Sequence, residues 1–148
     1  MYAYVAYRIG DGPGAEDVTG DVFERALRYR DSYDPGKGTP LAWLLGIARF
    51  RIAELGASRS LEQISDRVDE AEGGSLEDDA VRRITLSQAL ASLEDRDRDL
   101  IALRYGADLT ARQIAELTGM RTNAAEVALH RALARLRTVL GDGSATTS

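Results

Sequence analysis

The sequence predicts an all-α protein made of two small helical domains joined by an acidic linker. Three observations predict it. Apolar residues recur at helical spacing in one segment after another, most regularly at Leu129, Leu133, Leu136 and Leu140. Thr110 and Gln113, followed by Gly119, give a capped short helix, a tight turn and a second helix. Between the two halves, residues 61–80 hold 8 acidic and 1 basic side chain around Gly73-Gly74, a composition that marks a domain boundary.

In chain order, Tyr2–Ile9 (YAYVAYRI) is apolar and aromatic enough for a short helix, which the turn residues GDGPG at 10–14 break. Ala15–Tyr29 resumes as a helix with the apolar stripe Val18, Val22, Phe23, Ala26 and Leu27, and with Glu16, Asp17, Asp21 and Glu24 outside it. Acidic residues in its first turn complement the helix dipole. Asp31–Pro40 is a loop, and Leu41–Leu55 a third helix that is strongly apolar at its start, where Trp43 reads as core packing. Ser60–Asp79 is the linker. Helices over Val81–Leu93 and Asp95–Tyr105 follow, with Ile84, Leu86, Ala89, Leu90, Leu93, Leu100, Ile101 and Leu103 as their apolar positions. Thr110 then caps the first helix of the turn motif, whose apolar face is Ile114, Ala115 and Leu117. Gly119 supplies a positive φ without a Cβ penalty. Thr122 or Asn123 caps the last helix, which runs to Leu140, and 141–148 is a short polar tail.

Composition narrows the function classes. The chain has 148 residues, 44% hydrophobic and 29% charged, so it can build a core. Without cysteine it forms no disulfide or thiolate metal site, and one histidine, His130, cannot form a histidine cluster. No residue pattern pairs a nucleophile with a base, so no enzyme and no cofactor are expected. No apolar run approaches the roughly 20 residues of a membrane helix, and no basic stretch precedes an apolar one, so a cytoplasmic protein without membrane insertion is expected. The net charge of −5 argues against a protein that grips DNA unaided, because phosphate contacts supply most non-specific affinity. Residues 110–140, however, carry 5 basic and 2 acidic side chains. That distribution suits a DNA reader delivered by a larger partner.

A helix–glycine–helix pattern on its own describes many α-bundles. Here the first helix is too short to be stable alone and must serve the second. Arg121, Thr122 and Asn123 sit where a recognition helix meets base edges and phosphates, and all three can donate hydrogen bonds. Arg131 and Arg135, one turn apart, with Arg137, make the rest of the helix basic, and a helix-turn-helix is the reading.

The succession AEDVTGDVFERAL (15–27), SYDPGKGTPLAWLLGIAR (32–49), an acidic connector and the helix-turn-helix resembles RNA polymerase sigma factors of the extracytoplasmic-function (ECF) type, in the sigma-70 family. The resemblance covers nearly the whole chain. It implies a region 2-like domain at 1–59, N-terminally truncated because the family has a further helix ahead of Tyr2, a linker at 60–80 and a region 4-like domain at 81–140. Its implied function is to direct core RNA polymerase to specific promoters and initiate transcription. Glu16, Asp17, Asp21 and Phe23 would dock on core polymerase. Lys37, Arg49, Phe50 and Arg51 would engage the melted −10 element, a task that needs cations for an unpaired backbone and an aromatic platform or pocket for a base. Arg112, Arg121, Thr122, Asn123, Arg131 and Arg135 would bind the −35 element. The implied partners are core RNA polymerase, promoter DNA and an anti-sigma factor. The chain departs from the family pattern at Gly20, at Phe50, where Asn is usual, and at Glu126 and Ala128, where basic residues are common. Two alternatives fit the same residues: a sigma-like DNA-binding regulator lacking initiation activity, and a stand-alone helix-turn-helix repressor.

Overall fold

The computed structural model describes residues 1–62 and 85–145, and the described residues are helices and their connections. Helix α1 spans Tyr2–Ile9 and α2 spans Pro13–Arg28. Between them Gly10 (φ 98°) and Gly12 (φ 130°) take positive φ, which only glycine adopts cheaply. The Tyr2 hydroxyl closes this turn by donating to Asp11 and accepting the Gly12 N–H at 3.2 Å. A short 3-10 turn, Arg30–Ser32, leads into α3, Pro40–Glu62. Both α2 and α3 start at a proline, slightly earlier than their apolar periodicity suggests. Proline's fixed φ suits the first helical position, where its missing N–H is no loss. α3 also runs past Leu55 through the first residues of the expected linker. Residues 63–80 of that linker, and Val81–Ile84, lie outside the described residues.

The C-terminal half opens with α4, residues 85–91. α5, Asp95–Ile101, passes into a wider π-helical turn, Ala102–Gly106, in which the Ala107 N–H reaches back to the Ala102 carbonyl at 3.0 Å. α6 spans Ala111–Thr118 and α7 Thr122–Ala145. α7 therefore continues beyond Leu140 into the expected tail. It also begins one residue before the sequence places it: the Arg121 carbonyl accepts the Ala125 N–H at 2.9 Å, so Arg121 occupies the capping position in place of Thr122 or Asn123.

The core joins Tyr4 and Val5 of α1, Val18 and Val22 of α2 and Leu45, Ala48 and Ile52 of α3 to Leu100, Ile101 and Leu103 and to Ile114, Ala125, Leu129 and Leu136. α1 is the hinge of this packing, lying against α2 and α3 on one side and against α5 and the π-helical turn on the other. At the second contact Gly106 lies so close to α1 that a Cβ would stand 2.8 Å from the Tyr4 Cα and 3.0 Å from the Ala3 carbonyl oxygen. Four apolar residues assigned to helix faces from the sequence need correction, among them Leu86, which is 36% exposed on α4. Phe23 (45% exposed) and Leu27 (65%) lie outside the core, because the buried sector of α2 is narrower than its apolar stripe. Trp43 is half-buried outside the core, because its ring packs 5.3 Å from that of the loop residue Tyr33 and not against the core cluster.

Candidate nucleic-acid interface

The helix-turn-helix is built by local chemistry. Thr110 Oγ1 accepts the Gln113 N–H at 3.1 Å, and Gln113 Oε1 accepts the Thr110 N–H at 2.8 Å, a complete capping box. Gly119 sits in the left-handed region at φ 76° and turns the chain, while the Met120 N–H bonds the Ala115 carbonyl at 3.0 Å. Ile114 and Ala115 of α6 are buried, as are Ala125, Leu129, Ala132 and Leu136 of α7. That packing leaves Arg121, Thr122 and Asn123 exposed at the start of α7, with Arg131 exposed two turns on from Asn123. Arg112 is exposed on α6, within 3.8 Å of Glu116. Arg135 is placed differently from the rest. Its Nη1 donates to Asp97 Oδ2 at 2.8 Å, which ties α7 to its scaffold helix α5.

In the N-terminal half the structure separates residues that the sequence groups. Phe50 (62% exposed) lines an open cleft of about 700 Å³ with Arg25, Arg28, Tyr29, Ser32 and Trp43. Lys37 belongs to a second cleft of about 370 Å³, with Tyr33 and Trp43 on one side and Gln113, Glu116 and Leu117 of α6 on the other. Arg49 turns away from both, because successive helical residues point about 100° apart. Arg51 donates to Asp21 Oδ2 at 2.5 Å and lies 3.5 Å from Glu54, so Asp21 faces α3 as well as solvent. Glu16, Asp17 and Phe23 are exposed together on α2. Sequence reasoning missed Arg25, Arg28 and Tyr29 as cleft residues. The signal was present in RALRYR (25–30), where cations flank an aromatic residue.

Beneath these surfaces lies a buried polar cluster on Asp99 of α5. One carboxylate oxygen accepts from Tyr4 Oη at 2.5 Å and from Arg8 Nη1 at 2.9 Å, and the other accepts from Arg49 Nε at 3.0 Å. Arg98 Nε donates to the Tyr7 carbonyl at 2.9 Å beside it. Arg8 Nε is the one fully buried side-chain nitrogen or oxygen without a hydrogen bond among the described residues. Burial, reinforced by the Asp99 charge, pushes the Tyr4 phenol above its ordinary 10.0. The fold therefore favours the protonated phenol, so its contribution to stability is full below about pH 10 and declines as pH rises above that value. Wild type should lose more stability than Tyr4→Phe between about pH 9 and 11, measured as the difference in urea midpoints at the two pH values.

Among the described residues no cluster of three or more His, Cys, Asp or Glu side chains is arranged to hold a metal ion. No described helix is long and apolar enough to cross a membrane. Residues 1–60 match the family Sigma-70 region 2, and residues 83–136 match Sigma-70, region 4. Among similar proteins, the ECF RNA polymerase sigma factor SigK of Mycobacterium ulcerans is 28% identical over 150 aligned positions, covering 95% of this chain and 79% of the relative. ShbA of Streptomyces griseus, also an ECF RNA polymerase sigma factor, is 32% identical over 133 positions, covering 83% of this chain and 68% of the relative. SigK of a Mycobacterium species (strain KMS) is 31% identical over 128 positions, and the match spans 64% of its length. Two solved structures share the fold at 23% identity. The sigma factor RpoE, bound to the anti-sigma factor NepR from Bartonella quintana, superposes with a TM-score of 0.71 over 95% of this chain and 89% of its own. CnrH, in complex with the cytosolic domain of CnrY, gives 0.69 over 95% of this chain and 80% of its own. With both family regions in order and a helix-turn-helix closing the second, the chain belongs to the ECF sigma factors of the sigma-70 family.

Proposed function

We propose that this chain directs core RNA polymerase to specific promoters, as a non-enzymatic specificity subunit acting in the cytoplasm, with residues 1–59 and 81–140 as its two working domains. The observation that carries this reading is the capped α6–Gly119–α7 motif, which leaves Arg121, Thr122 and Asn123 free at the tip of a recognition helix. Arg112, Arg121 and Arg131 then meet the −35 duplex, and Thr122 and Asn123 read base edges. Arg135, held by Asp97, orients α7 on its scaffold. Glu16, Asp17 and Phe23 form the polymerase-docking face of α2, with Asp21 at its border. The cleft around Phe50 and Tyr29 combines an aromatic platform with the cations Arg25 and Arg28, the chemistry an unpaired strand requires. Lys37 borders the same half and supplies a further phosphate contact, while Arg49 and Arg51, held by Asp99 and Asp21, contribute only where a phosphate displaces those carboxylates. An anti-sigma factor is the expected inhibitor, by likeness to RpoE in its complex with NepR.

The test is transcription in vitro with core polymerase and a library of promoter fragments. Promoter-dependent transcripts that require the chain support the reading. A stable complex with polymerase that yields none would favour the regulator without initiation activity. Arg121→Ala should cost about 1–3 kcal/mol of promoter affinity with relaxed specificity at one position. A uniform loss across sequences would make Arg121 a phosphate contact instead. Competition binding against a panel of single-base variants separates the two.

A further inference from the structure

The solvent face of α7 contains a residue that promoter binding by hydrogen bonds and charge leaves unexplained. Val127 is 47% exposed, the most accessible large apolar side chain among the described residues of the helix-turn-helix. One exposed aliphatic residue is ordinary on a protein surface. Its position here is not: Asn123, Val127 and Arg131 succeed one another at four-residue intervals and all three are exposed, with Ala124 and His130 exposed beside them. The opposite face, Ala125, Leu129 and Ala132, is buried against the rest of the fold. Val127 thus lies at the middle of the row that a recognition helix turns toward DNA. Each step along that row rises about 6 Å, close to two base-pair steps.

Valine has no donor or acceptor, so it cannot read the hydrogen-bonding edge of any base. One group in the major groove rewards an aliphatic contact: the C5-methyl of thymine. The neighbour one turn toward the N-terminus, Asn123, has the amide geometry that pairs with the N6 and N7 of adenine. Arg131, one turn the other way, serves a phosphate or a guanine. Glu126, exposed at the edge of this face, repels phosphates and keeps the backbone contacts to the flanking arginines.

Resting on the promoter-binding reading above, we propose that Val127 is a specificity-determining residue that recognises a thymine methyl group, so that the −35 element of this protein contains a thymine about two base pairs from an adenine read by Asn123. The readout is apolar at its centre and charged at its ends.

Thymine-to-uracil exchange tests this directly, because it removes the methyl group and leaves every hydrogen-bonding atom in place. Full-length chain bound to core polymerase would first select duplexes from a randomised library, and each thymine of the enriched element would then be replaced singly by deoxyuridine. Wild type should lose roughly fourfold in affinity at one thymine, the equivalent of one buried methyl group. Val127→Ala, whose substitution on an exposed helical face leaves folding intact, should bind the thymine and uracil duplexes alike at that position. Val127→Ile, which keeps an aliphatic tip, should restore the discrimination. An enriched element in which no uracil exchange matters would overturn the proposal while leaving promoter binding standing, as would a Val127→Ala variant that discriminates like wild type. Failure to enrich any element would remove the promoter-binding reading, and this proposal with it.

Discussion

Asp99→Ala should destabilise the protein by about 3–5 kcal/mol, the usual penalty for removing one partner of a buried ion pair. The Asp99 carboxylate accepts from Tyr4, Arg8 and Arg49, three side chains on two different helices. Alanine removes all three bonds together. Arg8 would stay buried, with its Nη1 left bonded to the Tyr4 hydroxyl alone and its Nε already without a partner. Against a typical total stability of about 5–15 kcal/mol, this is a large share. In a chain of this size it lowers the melting temperature by roughly 10–15 °C. Thermal unfolding followed by far-UV circular dichroism checks it, with Asp95→Ala as the comparison. Asp95 also approaches Arg8, at 3.4 Å, but its side chain is 87% exposed, and solvent screening holds its contribution to about 0.5 kcal/mol or less.

Gly106→Ala should cost about 1–3 kcal/mol or somewhat more, although it adds a single methyl group. The methyl would meet the backbone of Tyr4 and Ala3 at 2.8–3.0 Å, and backbone held in a helix cannot turn aside as a side-chain tip can. α1 would have to lift from the π-helical turn. Gly20→Ala gives the opposite sign. It lies within α2 with nothing inside 4 Å of the added carbon, so relief of glycine's helix penalty should stabilise by up to about 1 kcal/mol. Urea denaturation of the two variants, read at their midpoints, compares them on one scale.

The features legible in the sequence are those fixed by local chemistry. The capping box at Thr110 and Gln113 and the left-handed Gly119 depend on neighbours three to six residues away, and both stand where the residues place them. The apolar spacing of α7 likewise marks Leu129 and Leu136 as core. What spacing could not give was the use of charge. Arg49 and Arg135 read as free cations, yet each meets a carboxylate of α5 from 50 and 38 residues away. No period or motif encodes such a pairing. Apolar character misled in a related way. Phe23, Leu27 and Trp43 fit helical stripes, but a stripe says which residues share a face and not how far the neighbouring helix reaches across it. Arg25, Arg28 and Tyr29 gather with Phe50 only because α2 and α3 lie side by side.

The Asp99–Arg49 bond makes the Asp99 carboxylate and any phosphate that reaches Arg49 thermodynamic rivals for one guanidinium. A phosphate that draws Arg49 away must displace a carboxylate 3.0 Å from its Nε, and the displaced carboxylate is left with Tyr4 and Arg8 alone. Reciprocity requires the converse: whatever tightens the junction between α3 and α5 weakens the hold of Arg49 on an anion by the same factor. A single side chain thus couples occupancy at one end of the molecule to cohesion at its centre.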